Sequence, residues 1–312
     1  MSRAIVFPGQ GSQAVGMGRA LSEAFSAARD VFGEVDEALK QKLSALMWDG
    51  PENELTLTEN AQPALMAVSM AVVRVLETQG NWMIGEKAAL VAGHSLGEYS
   101  ALAAAGTFTL ADTARLLKIR GQAMQKAVPV GQGAMAALLG VEIEQAREIA
   151  AEAAEGDVCE TANDNAPGQV VVSGAKAAVE RAMAVAAAKG FKRSVLLPVS
   201  APFHCALMQP AADAMAVALS QVMMKAPVVP LVANVTASMT RDPDEIRKLL
   251  VAQVTGTVRW RESVLAMKAA GVESLVEAGS GKVLAGLAKR IDKELSAVSL
   301  QTPADIEAFL KA

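Results

Sequence analysis

The sequence predicts an α/β fold: a mostly parallel sheet covered on both faces, into which a second, smaller β-α-β-β-α-β unit is inserted. Three observations predict it. The run Ala88 to Ala92 is short and almost wholly apolar, as a buried parallel strand requires. It leads into Gly93-His94-Ser95-Leu96-Gly97, a G-x-S-x-G pentapeptide, and then into the alanine-rich helical stretch Ala101 to Ala105. From about 128 to 198 the periodicity reads strand (Ala134 to Gly140), helix (Ile143 to Ala154), strand (Val158 to Ala162), strand (Gln169 to Ser173), helix (Ala175 to Lys189), strand (Arg193 to Leu197). That order is ferredoxin-like. Residues 1–127 and 199–312 then form the large domain, and 312 residues is near the most that one core supports.

Taken in order, Arg3 to Phe7 reads as the first strand. Pro8-Gly9-Gln10-Gly11-Ser12-Gln13 follows and opens a helix at about Gly16. This loop is neither the dinucleotide fingerprint nor a Walker loop. Alone it reads as a plain βα turn, though its glycines also let the Gln10 amide approach a ligand closely. Leu21 to Lys42 has helical spacing with a break near Asp30 to Gly33. Thr58-Glu59-Asn60 starts a long helix over Ala61 to Gln79, with Leu65, Val68, Val72 and Val75-Leu76 on its apolar face and Gly80 as its stop. Past the serine turn, Leu110 to Lys126 is helical and carries Arg115, Lys118 and Arg120. Turn residues Asn163 to Gly168 separate the middle strands of the small unit. Val199 to Met208 is a loop entering a helix that reaches about Met223, and Val228 to Asn234 reads as a strand. Asp242-Pro243-Asp244-Glu245 caps the next helix, and Gln253 follows it. Ser274 to Glu277 is a strand, and Ala278-Gly279-Ser280-Gly281 turns into the last long helix.

Composition excludes some functions. A net charge of −4 argues against nucleic acid as the main partner. The two cysteines, Cys159 and Cys205, are far apart in sequence and outside any metal spacing, which suits free thiols in a reducing compartment. No signal peptide opens the chain and no apolar run has membrane-spanning length, so a soluble cytoplasmic protein is expected.

The chemistry centres on Ser95. A serine on a sharp strand-to-helix turn has an exposed hydroxyl. Gly93 and Gly97 remove β-carbons where strand and helix cross, and the Leu96 amide at the helix start can donate to an oxyanion. The same pentapeptide also fits an ordinary turn with a capping serine, so the base matters. The chain has two histidines, His94 and His204. His94 adjoins the serine and leaves the turn in another direction, which suits a structural role. His204 lies at a loop-to-helix junction and is the candidate base. No acid stands near it in sequence; an acid brought close in space or a backbone carbonyl could orient its imidazole. Arg120, by composition alone, is a solvated helix arginine.

Phe7-Pro8-Gly9-Gln10-Gly11-Ser12-Gln13, Gly93-His94-Ser95-Leu96-Gly97-Glu98-Tyr99, Arg120, Asn163, Phe203-His204 and Gln253 together resemble the malonyl-CoA:acyl carrier protein transacylases of fatty acid synthesis, across essentially the whole chain. The resemblance implies a hydrolase-like α/β domain with the ferredoxin-like insertion. It implies acylation of Ser95, His204 as general base and acid, and an oxyanion hole from the amides of Gln10 and Leu96. Arg120 would hold the malonyl carboxylate, where a planar guanidinium can bind bidentately. Asn163 would lie near the acyl pocket, and Phe203 would crowd branched acyl chains. The carbonyl of Gln253 would orient His204, making a dyad. Where the family often has a proline between glutamine and tryptophan, this chain has Val254-Thr255-Gly256-Thr257. No metal or redox cofactor is implied, since the coenzyme A thioester and the phosphopantetheine thiol are substrates. An acidic carrier protein would need a basic patch, for which Lys189, Lys192 and Arg193 of the small unit and Lys289 and Arg290 of the last helix are candidates. A hydrolase sharing the nucleophile and a non-catalytic malonyl-CoA sensor are the competing readings.

Overall fold

A computed structural model describes residues 2–312. Ten strands are formed among the described residues: β1 (Arg3–Phe7), β2 (Leu90–Gly93), β3 (Gly133–Leu139), β4 (Cys159–Ala166), β5 (Gln169–Ala175), β6 (Arg193–Leu196), β7 (Leu231–Val232), β8 (Met239–Thr240), β9 (Ser274–Ala278) and β10 (Ser296–Leu300). The larger sheet runs β10-β9-β1-β2-β7-β8. Its pairings are parallel except that of β7 with β8. Alternating side chains bury both faces. Ile5, Phe7, Val91 and Val276 pack into the core of the long helix Thr58–Gly80. Ala4, Val6, Leu90, Ala92 and Leu275 pack under the helices Trp260–Ala269 and Val283–Ile291.

The second sheet runs β4-β5-β3-β6, all antiparallel, and carries the helices Ile143–Ala154 and Lys176–Ala188 on one face. This is the ferredoxin-like order expected from the sequence. Its other face is apolar too: Met135, Ala137, Ala162 and Val171 join the main core. The edge strand β4 is stitched to the large sheet's side by two backbone bonds, Val258 N–H to Ala162 O at 2.8 Å and Asp164 N–H to Val258 O at 3.0 Å.

Several boundaries differ from expectation, each for a local reason. Helical structure near the N-terminus begins at Arg19, not Gly16. The helix Ser26–Leu39 runs unbroken through Asp30 to Gly33 because Ala28, Val31, Phe32 and Val35 keep one buried face; the break comes at extended Phe25. The long helix includes Gly80, against which Leu310 packs in the space a β-carbon would take, and stops at left-handed Asn81. β4 continues through Asn163 to Ala166, so the turn shrinks to Pro167-Gly168. The helix after the 204 loop ends at Ser220, and the strand expected over Val228 to Asn234 reduces to β7. Gln253 lies inside the helix Pro243–Thr255, in its last turn. β10 and the helix Pro303–Lys311, capped by Thr302, follow the helix expected to be last.

Candidate active site

β2 ends at Gly93, and the helix Gly97–Ala104 begins four residues later. The turn between them places Ser95 at φ 53°, a left-handed conformation costly for a residue with a β-carbon. The close crossing excludes side chains at its two glycines. A β-carbon on Gly93 would lie 1.9 Å from Gly97 O, and one on Gly97 would lie 2.2 Å from Phe7 O. His94 leaves the turn as expected: its Nε2 is 2.8 Å from Asn165 Oδ1 of β4, and its ring packs beside Trp260. Burial lowers its pKa.

His204 also has positive φ, 59°, and is almost fully buried. Its Nε2 lies 2.7 Å from Ser95 Oγ, and its Nδ1 donates to Gln253 O at 2.8 Å. That carbonyl is available because the last turn of a helix leaves its C=O groups without intrahelical partners. A proline is not needed to expose it; the helix simply ends at Thr255. Burial, and then the positive charge of Arg120, pulls the His204 imidazole down to about 3, so it is neutral at physiological pH.

Arg120 is 1% exposed, not solvated as its composition alone suggests. Thr109 caps the helix Leu110–Ala127 that carries it. Its Nη1 donates to Gln62 Oε1 at 2.7 Å; its Nη2 donates to Gln253 Oε1 at 2.8 Å and to Ser95 Oγ at 3.1 Å. Nε is buried without an acceptor among the described residues, while Nη1 donates once, to Gln62, and so keeps its second N–H for a ligand. Its nearest buried carboxyl is Glu98, one amide away: Gln253 Nε2 donates to Glu98 Oε2 at 2.6 Å and to Ser95 O at 2.9 Å. Burial raises Glu98 to about 7, against the hydrogen bonds it accepts from Gln253 and the Asn234 amide and the pull of Arg120. Asn234 completes the frame by accepting from Ser95 N and donating to Gly93 O.

These groups border a cavity of about 800 Å³. Gln10, Ser95, Leu96, Arg120, Asn163, Phe203 and His204 all line it. The amides of Gln10 and Leu96 have no acceptor among the described residues. The model of the acyl transferase domain family matches residues 4–299. The chain belongs to that family. It is 48% identical to the malonyl CoA-acyl carrier protein transacylase of Escherichia coli K12 over 308 residues, 99% of this chain and 98% of that one. An acyl-carrier-protein-S-malonyltransferase from Bartonella henselae superposes with TM-score 0.97 at 59% identity, covering 100% of this chain and 99% of that one. A type II PKS acyl-carrier protein in complex with its malonyl-transacylase contains a chain matching at TM-score 0.96 and 44% identity, covering 100% and 99%.

The fold of this acyl transferase thus brings the site residues expected from sequence to one cavity or its wall, Gln253 standing behind His204. The five basic candidates for partner docking lie outside it. Four groups went unassigned by sequence: Thr58, Gln62, Glu98 and Asn234. Thr58 and Gln62 carried a signal, since they continue the buried phase of Leu65 and Val68 with polar side chains. Glu98 stood in the motif without an assigned task. Asn234, in a loop, carried none. Among the described residues no group of three or more His, Cys, Asp or Glu could hold a metal, and no helix is long and apolar enough to cross a membrane.

Proposed function

We propose that this chain transfers a malonyl group from malonyl-CoA to the phosphopantetheine thiol of acyl carrier protein through a malonyl-Ser95 ester. The observation that carries the reading is the position of Ser95 Oγ, 2.7 Å from His204 Nε2 and 3.1 Å from Arg120 Nη2. A neutral base and a fixed cation thus flank one nucleophile. An acyl group bearing its own carboxylate satisfies both.

In the first half-reaction His204 Nε2 takes the Ser95 proton as Oγ attacks the thioester carbonyl. The oxyanion is received by the amides of Gln10 and Leu96. The tetrahedral intermediate collapses, the C–S bond breaks, and imidazolium returns its proton to the coenzyme A thiolate. In the second half the pantetheine thiol gives its proton to His204 and attacks the ester; Ser95 leaves and is reprotonated. Arg120 binds the malonyl carboxylate throughout, while Asn163 and Phe203 shape the acyl end. No metal or redox cofactor enters either half. The names of the full-length relatives support the substrates, and the PKS complex supports a carrier protein as acceptor.

We also read residues 128–198 as a unit inserted between the two parts of the large domain. A reducing cytoplasm suits the two free, buried cysteines. Mass spectrometry after mixing with malonyl-CoA tests the function. A malonyl adduct on Ser95, absent from Ser95→Ala and discharged by holo-carrier protein, is expected. An adduct on Cys205, or acyl release that needs no thiol acceptor, would replace the reading with another nucleophile or a hydrolase.

A further inference from the structure

We propose that Gln62 and Thr58 are positioning residues through which the guanidinium of Arg120 holds the oxyanion-hole residue Gln10 in place; this deepens the malonyl-transfer reading and rests on it. The three links are short. Arg120 Nη1 donates to Gln62 Oε1 at 2.7 Å, Gln62 Nε2 donates to Thr58 Oγ1 at 2.8 Å, and Thr58 Oγ1 donates to Gln10 Oε1 at 2.9 Å. Gln62 and Thr58 are both buried. The Gln10 side chain makes no other hydrogen bond among the described residues.

The direction of the chain is fixed from one end. An arginine only donates, so Gln62 must turn its oxygen toward it and its NH₂ toward Thr58. The Thr58 hydroxyl must then accept from Gln62, and its single proton goes to Gln10. Each group is polarised by the one before it, which strengthens the series in a dry interior. Gln10 otherwise sits in a glycine-flanked loop, half-buried at the cavity wall. The chain is its side-chain tether to the scaffold. An oxyanion donor needs such a tether, because its catalytic value comes from being held at the oxyanion before the charge forms.

The test follows release of coenzyme A in the acylation half-reaction, with malonyl-CoA and with acetyl-CoA, on Thr58→Val, Thr58→Ser, Arg120→Ala and the double variant Thr58→Val/Arg120→Ala. Thr58→Val should lower kcat with either thioester by about three- to tenfold, the worth of one buried neutral hydrogen bond, with KM changed less than about twofold. Thr58→Ser keeps the hydroxyl and should restore kcat. With acetyl-CoA, which has no carboxylate for the guanidinium to bind, Thr58→Val should cost much less in the Arg120→Ala background, because the series has lost its first donor. Equal losses from Thr58→Val in both backgrounds, or equal behaviour of Val and Ser, would overturn the coupling. If Thr58→Val melts early, Gln62→Met cuts the neighbouring link and is read in the same two backgrounds. A loss from Arg120→Ala that is the same for malonyl and acetyl would instead overturn the malonyl reading itself.

Discussion

Ser95 and His204 are both held at positive φ, a cost of about 1–3 kcal/mol each that only the surrounding structure sustains. What that strain secures is a short contact between a hydroxyl and a neutral imidazole, beside a buried cation. Arg120 sets two properties of the site at once. Its charge lowers the basicity of His204 and is available to a carboxylate. Removing it should therefore have two separable effects. A carboxylate entering this cavity without a cation loses about 2–5 kcal/mol, so Arg120→Ala should cut malonyl transfer by roughly one and a half to three and a half decades. Acetyl transfer should fall only by the about three- to tenfold that losing the Gln10 tether costs, and Arg120→Lys should fall between for malonyl because it keeps charge without the fork. The comparison is kcat/KM for both thioesters. The second effect is on His204. A lowered pKa means the imidazole stays neutral in acid where a free histidine is already charged. Loss of Arg120 removes one of the two main causes, so the folded pKa rises from about 3 toward, but not above, its ordinary value near 6.5. With two histidines in the chain, NMR titration reads this directly. An unmoved His204 signal would mean that burial alone sets its basicity.

The helices that carry Arg120 and Gln62 pack closely against each other, joined by Arg120 to Gln62, Gln122 to Glu59 and Lys118 to Asn60. The Leu110–Ala127 helix crosses the Thr58–Gly80 helix at Gly121, the neighbour of Arg120, where a β-carbon would lie 2.4 Å from Glu59 Cα and 2.7 Å from Thr58 O. Backbone cannot yield there as a flexible side chain can. Gly121→Ala should force the helices apart and cost about 1–3 kcal/mol in urea unfolding. It should also lower the malonyl-to-acetyl ratio, since it moves Arg120 relative to Ser95 and Gln62. Lost stability with an unchanged ratio would show that Arg120 is located by its glutamines and not by its helix. Gly121 also illustrates why part of the site escaped the sequence. The elbow was legible because its requirements are local: apolar strand, two glycines, helix start. The β-α-β-β-α-β unit was legible because strand and helix periods alternate within 70 or so residues of continuous chain. The partners of Arg120 were not, because Gln62, Glu98 and Gln253 converge from three helices far apart in sequence. Position in the last turn of the Pro243–Thr255 helix is what leaves the Gln253 carbonyl free, and no pattern of spacing declares that. β10 was missed for another reason: Ser296 to Leu300 alternates half-exposed residues at a sheet edge and lacks the continuous apolar run of β2.

At the scale of the whole molecule, one edge of the small sheet is fixed and the other is open. β4 is bonded through Val258, and His94 reaches Asn165 on the same strand. Among the described residues β6 pairs only with β3, and it continues directly into Leu197 to Val199 of the cavity wall. Arg193 begins β6, about 13 Å of extended chain from Leu197. Leu139 pairs with both Gln169 and Arg193, and Arg290 donates to Gln169, so Arg193 and Arg290 flank the same end of the small sheet. Under the proposed transfer to an acidic carrier protein, a chain of net charge −4 would need such a local concentration of cations. The candidates are not equivalent. Lys189 is already paired with Glu152 at 2.9 Å, whereas Lys192 and Arg193 are exposed on the approach to β6. We expect Lys192→Glu with Arg193→Glu to slow malonyl transfer to the carrier by about tenfold at low salt, through slower encounter. Acylation by malonyl-CoA should be unchanged, and the salt dependence of the second half-reaction should flatten. Lys189→Glu alone should do less, because its charge is partly neutralised before any partner arrives. The two half-reactions are timed separately, by coenzyme A release and by carrier malonylation, across a salt series. Equal slowing of both would place these residues on the coenzyme A path, and no slowing of either would move the docking surface to another face.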